Sequence, residues 1–332
     1  MVANLLIHPL HDFRLLSYGN LGWVYKINER IVVKIPRKKG NERFTREIQA
    51  FDIFEQHPPC PNIAQSFLRI PQGIFLPCFK GGTLEQRLRA SQTRDKENCG
   101  NRVIGIAKKE PIALVERWIM ELSNAAAWLE SLGYVHGDMA PQNLVLDEFE
   151  HLKLIDFESL AEIGTDSEGS HPPWARLQGP EAGEEEGTFG PYGPRTEQFA
   201  IGSILYLMTR GFEPYEDDDF GPEHGPIVVD RLRQMEFPEL SEGHLDHIIR
   251  NCWTGEFRLL QDLARETQLL DGAQQLPQAM PFGPEYCIAC RKECQAIVHE
   301  RRKMILLHLY MPGQKEKGPQ DSDANAFSLS AN

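Results

Sequence analysis

The sequence has no apolar run that approaches the roughly 20 residues of a membrane-spanning helix. Its first residues also lack the basic stretch and the long apolar segment of a secretory signal. These two absences argue against a membrane-embedded or secreted protein. We therefore expect no membrane partner and a location in the cytoplasm or the nucleus.

Basic residues are scarce relative to acidic ones. The chain has 35 lysines and arginines against 48 aspartates and glutamates, which gives a formal net charge of −13. A chain of this charge is repelled by nucleic-acid phosphates unless a local basic patch attracts them. The basic runs are short, such as Arg37-Lys38-Lys39. We expect no nucleic-acid partner.

Cysteines at the density of a disulfide-stabilised domain are also absent. The chain of 332 residues has seven cysteines. Four of them are far apart in the sequence: Cys60, Cys78, Cys99 and Cys252. This scatter predicts reduced thiols, which agrees with an intracellular location.

The other three cysteines, Cys287, Cys290 and Cys294, are close together, and His299 follows them. Such a group could bind zinc. On a helix, however, Cys287 and Cys294 would lie about 10 Å apart along the axis, too far for one tetrahedral metal ion. Their spacing favours one apolar face of a packed or partner-binding helix, with a zinc site as the alternative.

Two short motifs carry the chemistry. Residues 136–143 read HGDMAPQN, and Asp156-Phe157-Glu158 follows them. Between the motifs, residues 144–155 have the alternation and the acidic turn of a hairpin, which would return Asp156 to the neighbourhood of Asp138 and Asn143. One acid could then orient a hydroxyl while the other, with the amide, holds magnesium on a triphosphate. The spacing predicts a phosphotransferase centre.

These motifs resemble the catalytic loop and the metal-binding motif of the protein kinase superfamily, H-R-D-x-x-x-x-N and D-F-G. The resemblance implies a bilobal α+β fold, with a small antiparallel sheet and one helix in the first lobe and a larger, mainly helical second lobe. It implies ATP and Mg²⁺ as cofactors and a protein as substrate. Asp138 would be the catalytic base, and Asn143 and Asp156 would be the metal ligands.

Residues predicted to lie in the first lobe also resemble the family. Lys34 lies in an apolar strand and resembles the lysine that binds the α- and β-phosphates, which makes it the third catalytic residue with Asp138 and Asn143. The amphipathic segment 42–55 predicts a helix, on which Glu47 fits the partner of this lysine. Glu42 is the competing partner.

The resemblance also implies the nucleotide-binding residues. Gly19 and Gly22 match the second and third glycines of the phosphate-binding loop, whereas Ser17 replaces the first. Leu76 is the gatekeeper position, and the amide of Cys78 or Lys80 would face the adenine with the carbonyl of Pro77. The full predicted set is Gly19, Gly22, Val24, Val32, Lys34, Glu47, Leu76, Cys78 and Val145.

Three positions depart from the pattern: Gly137 replaces arginine, Ala140 replaces the lysine of serine/threonine kinases, and Glu158 replaces glycine. Without the arginine the chain resembles a non-RD kinase, and we expect activity that does not depend on phosphate in the activation segment. The leading interpretation is a serine/threonine protein kinase. A pseudokinase scaffold and a small-molecule kinase of the aminoglycoside phosphotransferase type are the alternatives.

The second lobe is expected to contain a long helix over 111–132, an activation segment that ends at Gly179-Pro180-Glu181, and a central helix over 196–211. Its first acid, Glu197, could cap the catalytic loop. Thr165, Ser167 and Ser170 are candidate phosphorylation sites, although any polar loop carries such residues. Residues 91–109 predict an exposed insertion without regular structure.

The predicted organisation follows from these elements. It comprises an N-terminal segment (1–14), the first lobe (15–76), the second lobe (77–270), an extension with the cysteine-bearing helix (271–311) and a disordered tail (312–332).

Overall fold

The computed structural model describes residues 13–18, 22–38, 40–95 and 102–310. The first lobe is a five-stranded antiparallel sheet with the strand order β1-β2-β3-β5-β4. Its strands are β1 (Arg14–Tyr18), β2 (Gly22–Lys26), β3 (Ile31–Pro36), β4 (Leu68–Ile70) and β5 (Gly73–Pro77). Helix α1 (Glu42–Phe54) packs beside the sheet and is capped by Asn41, whose side chain accepts from the amide of Phe44.

The central strand β3 has two different faces. Ile31, Val33 and Ile35 point to the outer side, where they join an apolar cluster. Val32 and Lys34 alternate with them and point to the side of the second lobe, as the two-residue period of a strand requires. All five side chains are buried. One strand therefore serves both a hydrophobic core and the interlobe cleft.

The second lobe is mainly helical and surrounds two buried tryptophans, Trp118 and Trp253. Its helices are α2 (Leu84–Arg89), α3 (Ile112–Ser131), α4 (Pro194–Arg210), α5 (His224–Arg233), α6 (His244–Thr254), α7 (Leu260–Thr267) and α8 (Asp271–Gln275). Helix α4 packs on α6, and α3 packs on α7 and α8. The expected bilobal α+β fold is confirmed.

Short strands complete the second lobe: β6 (Gln92–Arg94), β7 (Val103–Ile106), β8 (Tyr134–Val135), β9 (Leu144–Leu146), β10 (Leu152–Leu154) and β11 (Ala161–Glu162). Strands β9 and β10 form the predicted hairpin, with Leu144 paired to Leu154. The expectation of an irregular insertion over 91–109 is wrong, because β6 and β7 pair there as an antiparallel hairpin. The polar composition of this segment gives no alternation of apolar and polar residues, so the sequence does not indicate the pairing.

The last helix, α9 (Pro284–Tyr310), lies against the outer face of the first-lobe sheet. Cys290 and Cys294 are fully buried there, and Cys287 is half-buried. Burial raises the pKa of Cys294 to about 12, so its thiol stays protonated in this packed position. The packed-helix interpretation of these cysteines is confirmed.

Two polar clusters join α9 to the first lobe. Glu293 accepts from Asn28 Nδ2 and from Arg30 Nη2, both at 2.6 Å. Arg291 donates to the carbonyl of Phe67 at 2.8 Å and contacts Glu55 at 2.5 Å.

The predicted tail, 312–332, lies outside the described residues. Within the described ranges, no helix combines the length and the apolar character needed to cross a bilayer.

Candidate active site

Lys34 is the centre of a buried ionic cluster at the cleft. Its Nζ lies 2.7 Å from Glu47 Oε2, 2.6 Å from Asp156 Oδ1 and 3.6 Å from Glu158 Oε2. The contact with Glu47 is an ion pair whose geometry is not that of a directed hydrogen bond. Burial alone would lower the pKa of Lys34, but the three carboxylates raise it overall, so the lysine stays charged. The structure brings together Lys34 and the predicted partner Glu47.

Asp156 is presented by an unusual backbone conformation. Its φ of 68° and ψ of 72° lie in the left-handed region, which is uncommon for a residue with a side chain. The next residue, Phe157, is fully buried and contacts Phe51, Phe54 and the ring of His136. The buried phenylalanine fixes the turn on α1, and the turn points Asp156 at Lys34.

The catalytic loop is held by a network of hydrogen bonds around His136. Its Nε2 donates to the carbonyl of Ile155 at 3.0 Å, and its Nδ1 accepts from the amide of Asp138 at 3.3 Å. Burial lowers the pKa of His136, which agrees with the neutral ring that this pattern requires. Asn143 Nδ2 donates to the carbonyl of Asp138 at 2.8 Å and to its Oδ2 at 3.1 Å. Asp138 and Asn143 are thereby locked together.

Glu197 on α4 caps the backbone of the catalytic loop, as expected. Its Oε2 accepts from the amide of His136 at 2.9 Å, and its Oε1 accepts from the amide of Gly137 at 3.3 Å. Burial raises the pKa of Glu197 to about 7, against the opposing effect of the two amides. The central helix is therefore tied directly to the catalytic loop.

The backbone of the loop requires a glycine at position 137, whatever the role of an arginine there would be. Its φ is +77°, and a Cβ at this position would lie 2.4 Å from the carbonyl oxygen of Ser159. A side chain here would be strained in conformation and would collide with backbone. The loop of this chain is built around a glycine.

Four of the predicted nucleotide-binding residues share the cleft face of the sheet. Val24 is paired with Lys34 across β2 and β3, and Val32 is paired with Leu76 across β3 and β5. Directly paired residues lie on one face, so these four side chains form a continuous surface. The buried Val145 lies on β9, beside the segment that joins the lobes, where it bridges to Thr83.

The two predicted glycines have different outcomes. Gly22 begins β2, and a Cβ there would lie 2.6 Å from the carbonyl oxygen of Ile35, so close packing on β3 requires the glycine. Gly19 lies outside the described residues.

The predicted role of the Cys78 amide needs correction. This amide donates to the carbonyl of Arg30 at 2.9 Å, so it is engaged within the protein and cannot also meet an adenine in this conformation. The bond continues the antiparallel pairing of β3 with β5 beyond the pair Ile31 and Pro77. The carbonyl of Pro77 and the amide of Lys80 stay predictions.

Carboxylate and amide oxygens at the cleft fit a hard cation. Asp156 and Asn143 lie on either end of the β9–β10 hairpin, and the amide of Ile155 donates to the carbonyl of Asn143 at 3.0 Å. Oxygen ligands of this kind suit Mg²⁺. Of the described residues, Glu47, Asp156 and Glu158 also place three carboxylates within 4.8 Å of one another. The donors present therefore fit the predicted metal, with one more acid than the family pattern supplies.

Comparison with known proteins agrees with this geometry. The family described as "Protein tyrosine and serine/threonine kinase" matches residues 16–259. The chain belongs to the protein kinase family. Human myotonin-protein kinase is 29% identical over 142 residues, which cover 40% of this chain and 22% of that protein.

Two further relatives cover larger shares of this chain. Arabidopsis thaliana serine/threonine/tyrosine-protein kinase HT1 is 26% identical over 161 residues, 47% of this chain and 40% of that protein. Human dual specificity mitogen-activated protein kinase kinase 7 is 25% identical over 274 residues, 76% of this chain and 60% of that protein. The chain thus spans less than two thirds of the length of each relative.

Two contacts of this family member were not predicted from the sequence. Ser170 Oγ donates to Asp138 Oδ1 at 2.9 Å, and Arg46 Nη1 lies 3.5 Å from the carbonyl of Glu158. Ser170 is one of three candidate hydroxyl residues in the activation segment, and no spacing in the sequence distinguishes it from Thr165 and Ser167. Arg46 lies directly before Glu47 on α1, so its position could have been inferred from that helix.

Proposed function

We propose that this chain transfers the γ-phosphate of ATP, with Mg²⁺, to a serine or threonine hydroxyl of a protein. The observation that supports it best is Lys34 Nζ between Glu47 and Asp156, at 2.7 and 2.6 Å. This arrangement positions a lysine for nucleotide phosphates in kinases. A protein acceptor agrees with the names of the relatives, one of which is a serine/threonine/tyrosine-protein kinase and another a dual specificity kinase.

The proposed reaction assigns one role to each side chain. Asp138 orients the acceptor hydroxyl and accepts its proton, while Lys34 binds the nucleotide phosphates. Asn143 and Asp156 would hold Mg²⁺, which when bound neutralises charge on the phosphates. Val24, Val32, Leu76 and Val145 would enclose the adenine as an apolar slot.

A second candidate, a pseudokinase scaffold, is favoured by one observation. Glu158 lies 3.6 Å from Lys34 Nζ, so Lys34 has a third carboxylate beside it where the family has glycine. A negative charge here opposes the binding of a triphosphate. Ala140, which is fully buried, also supplies no lysine for the transferred phosphate.

The test is a magnesium-dependent transfer assay with radiolabelled ATP, using casein and an aminoglycoside as acceptors. We expect label on casein, and we expect Asp138→Asn to reduce the rate by about 10²–10⁴-fold, the usual contribution of a general base. Glu148→Gln is the matched control, because this acid lies in the exposed turn of the same hairpin and should keep the wild-type rate.

Three outcomes would change the proposal. No transfer by the wild type, with nucleotide binding retained in calorimetry, would establish the pseudokinase. Label on the aminoglycoside alone would establish a small-molecule kinase. An Asp138→Asn variant as active as the wild type would remove Asp138 from the mechanism.

A further inference from the structure

A narrow cavity beside the catalytic loop is shared by the proposed base and two arginines. It is lined by Asp138, by Arg176 of the activation segment and by Arg195 at the start of α4. The cavity volume is about 30 Å³, which is room for roughly two water-sized groups. Two cationic side chains and the proposed base therefore face one small space.

Arg176 is buried and only partly satisfied by the protein. Its side chain is 5% exposed, and its Nη2 pairs with Glu181 Oε1 at 2.9 Å. Its Nη1 donates to the carbonyl of Arg233 at 3.2 Å. Among the described residues, its Nε has no hydrogen-bond partner. A buried donor without a partner is costly, so this guanidinium has bonding capacity that its own chain does not use.

Arg195 keeps its charge in surroundings that oppose it. Its Nη2 donates to the carbonyl of Trp253 at 2.9 Å. Burial, followed by the charge of Arg176, lowers the pKa of Arg195 to about 10, against the opposing effect of Glu181, so the guanidinium is still charged at neutral pH. Arg195 also lies in the first turn of α4, where the helix dipole favours anions over cations. An anion placed here would offset both the neighbouring arginine and the helix end.

The acids at this cavity do not supply that anion. Glu197 accepts from two amides of the catalytic loop. Asp138 accepts from Asn143 Nδ2 through one oxygen and from Ser170 Oγ through the other. Within the part of the chain that the structure describes, no carboxylate forms an ion pair with Arg195. The positive charge of Arg195 is therefore available to a group from outside the chain.

We propose that Arg176 and Arg195 bind the carboxylate of an aspartate or a glutamate that lies within a few residues of the acceptor hydroxyl in the protein substrate. The inference rests on the proposed function and narrows its substrate class. Guanidinium groups bind carboxylates through paired, charge-assisted hydrogen bonds.

The shared cavity relates this carboxylate to the reaction. The substrate hydroxyl takes the place of Ser170 Oγ at Asp138 Oδ1, and a nearby acid of the same peptide enters the space between Asp138 and the arginines. The space fits the two oxygens of a carboxylate and is small for the three terminal oxygens of a phosphate. An acidic side chain is therefore preferred to a phosphorylated one.

The test is a series of serine peptides in which aspartate is placed in turn at each position on either side of the acceptor. Each peptide is matched by one with asparagine at the same position. We expect one position at which aspartate raises kcat/KM by about 10–100-fold over asparagine, the usual worth of hydrogen bonds to a charged group. Glutamate should retain the preference, and arginine or phosphoserine at that position should give poorer substrates than aspartate.

Two variants connect the preference to the arginines. Arg195→Gln keeps a donor for the carbonyl of Trp253 and removes the charge, and Arg176→Gln removes the second charge. Each should lower the ratio of kcat/KM for the aspartate peptide to that for the asparagine peptide. A purely structural role would slow both peptides alike and leave this ratio unchanged.

Arg233→Gln is the matched control. Arg233 also pairs with an acid, Glu186, and also has a buried Nε without a partner among the described residues, but it does not line the cavity. Its variant should keep the wild-type ratio. The peptide series on the wild type tests the inference by itself, even where a variant does not fold.

Three results would overturn the inference while the proposed function stands. These are peptide phosphorylation with no preference for aspartate at any position, a preference that survives unchanged in both Arg176→Gln and Arg195→Gln, and a preference for phosphoserine over aspartate. Absence of transfer to casein and to every peptide would instead reject the proposed function, and this inference with it.

Discussion

The two faces of strand β3 are one residue apart in sequence and opposite in chemistry. On the cleft face, Lys34 is surrounded by Glu47, Asp156 and Glu158. On the outer face, Val33 lies in an apolar cluster that α9 covers with Cys290. The cleft face is held by ion pairs between Lys34 and buried carboxylates, whereas the outer face is held by burial of apolar surface. Loss of one charge should therefore cost more than comparable damage on the outer side.

The largest effect is expected from Lys34→Met. Glu47 is fully buried and would lose its cation, and removal of one partner of a buried ion pair costs about 3–5 kcal/mol. Chemical denaturation should show a loss of this size, and the proposed phosphotransfer should disappear. Adding Glu47→Gln should recover most of the stability and none of the activity, because a neutral amide needs no cation. A Lys34→Met protein with the wild-type unfolding midpoint would show that these ion pairs do not stabilise the cleft face.

A smaller effect is expected on the outer face from Cys290→Glu. This places an unpaired carboxylate among apolar side chains and should lower the free energy of unfolding by about 2–3 kcal/mol, or detach α9. Hydrogen exchange would report the helix amides, and transfer activity should be partly retained because the cleft residues are untouched. Ile288→Glu is the control on the same helix, since Ile288 is 54% exposed. Equal destabilisation by the two substitutions would show that α9 is not packed through Cys290.

The sequence predicted the two faces unequally. Alternation predicted the strand of Lys34, apolar spacing predicted the helix of Glu47, and the hairpin pattern predicted that Asp156 returns to Asp138 and Asn143. The pairing of Lys34 with Glu47 came from the resemblance to the protein kinase family. The spacing of Cys290 and Cys294 predicted a packed helix, but not the surface it covers. That surface depends on contacts with Phe67, more than 200 positions away along the chain, which no local pattern encodes.

The contacts of the catalytic loop divide in the same way. Glu197 as the loop cap followed from its place at the start of a recognisable helix. Ser170 beside Asp138 did not, because its position depends on the turn at Gly169 and on backbone pairing with Gly190. The engaged amide of Cys78 depends in the same way on a non-local contact, because its bond to Arg30 continues the pairing of β3 with β5, two strands that are not adjacent in sequence.

The smallest effect is expected from Glu158→Gln, which tests whether the extra acid on the cleft face is a titrating group. Burial, followed by the charge of Asp156, raises the pKa of Glu158 from 4.5 to about 7, against the opposing effect of Lys34. Between these values the folded protein holds a proton that the unfolded chain has released, so stability falls as the pH rises through this window. The variant should lack this component, while Glu197 keeps its own.

Nucleotide binding gives the sharper measurement of the same group. Above pH 7 the Glu158 carboxylate is charged beside Lys34, so the wild type should bind ATP more weakly than Glu158→Gln, by less than about tenfold. Below pH 6 the two proteins should converge, because Glu158 is then neutral. Titration of ATP itself is common to both proteins and cancels in the comparison. Affinities that differ equally at every pH would mean that Glu158 acts on nucleotide binding by the shape of its side chain rather than by its charge, and that the charges of the cleft face matter less than its ion pairs indicate.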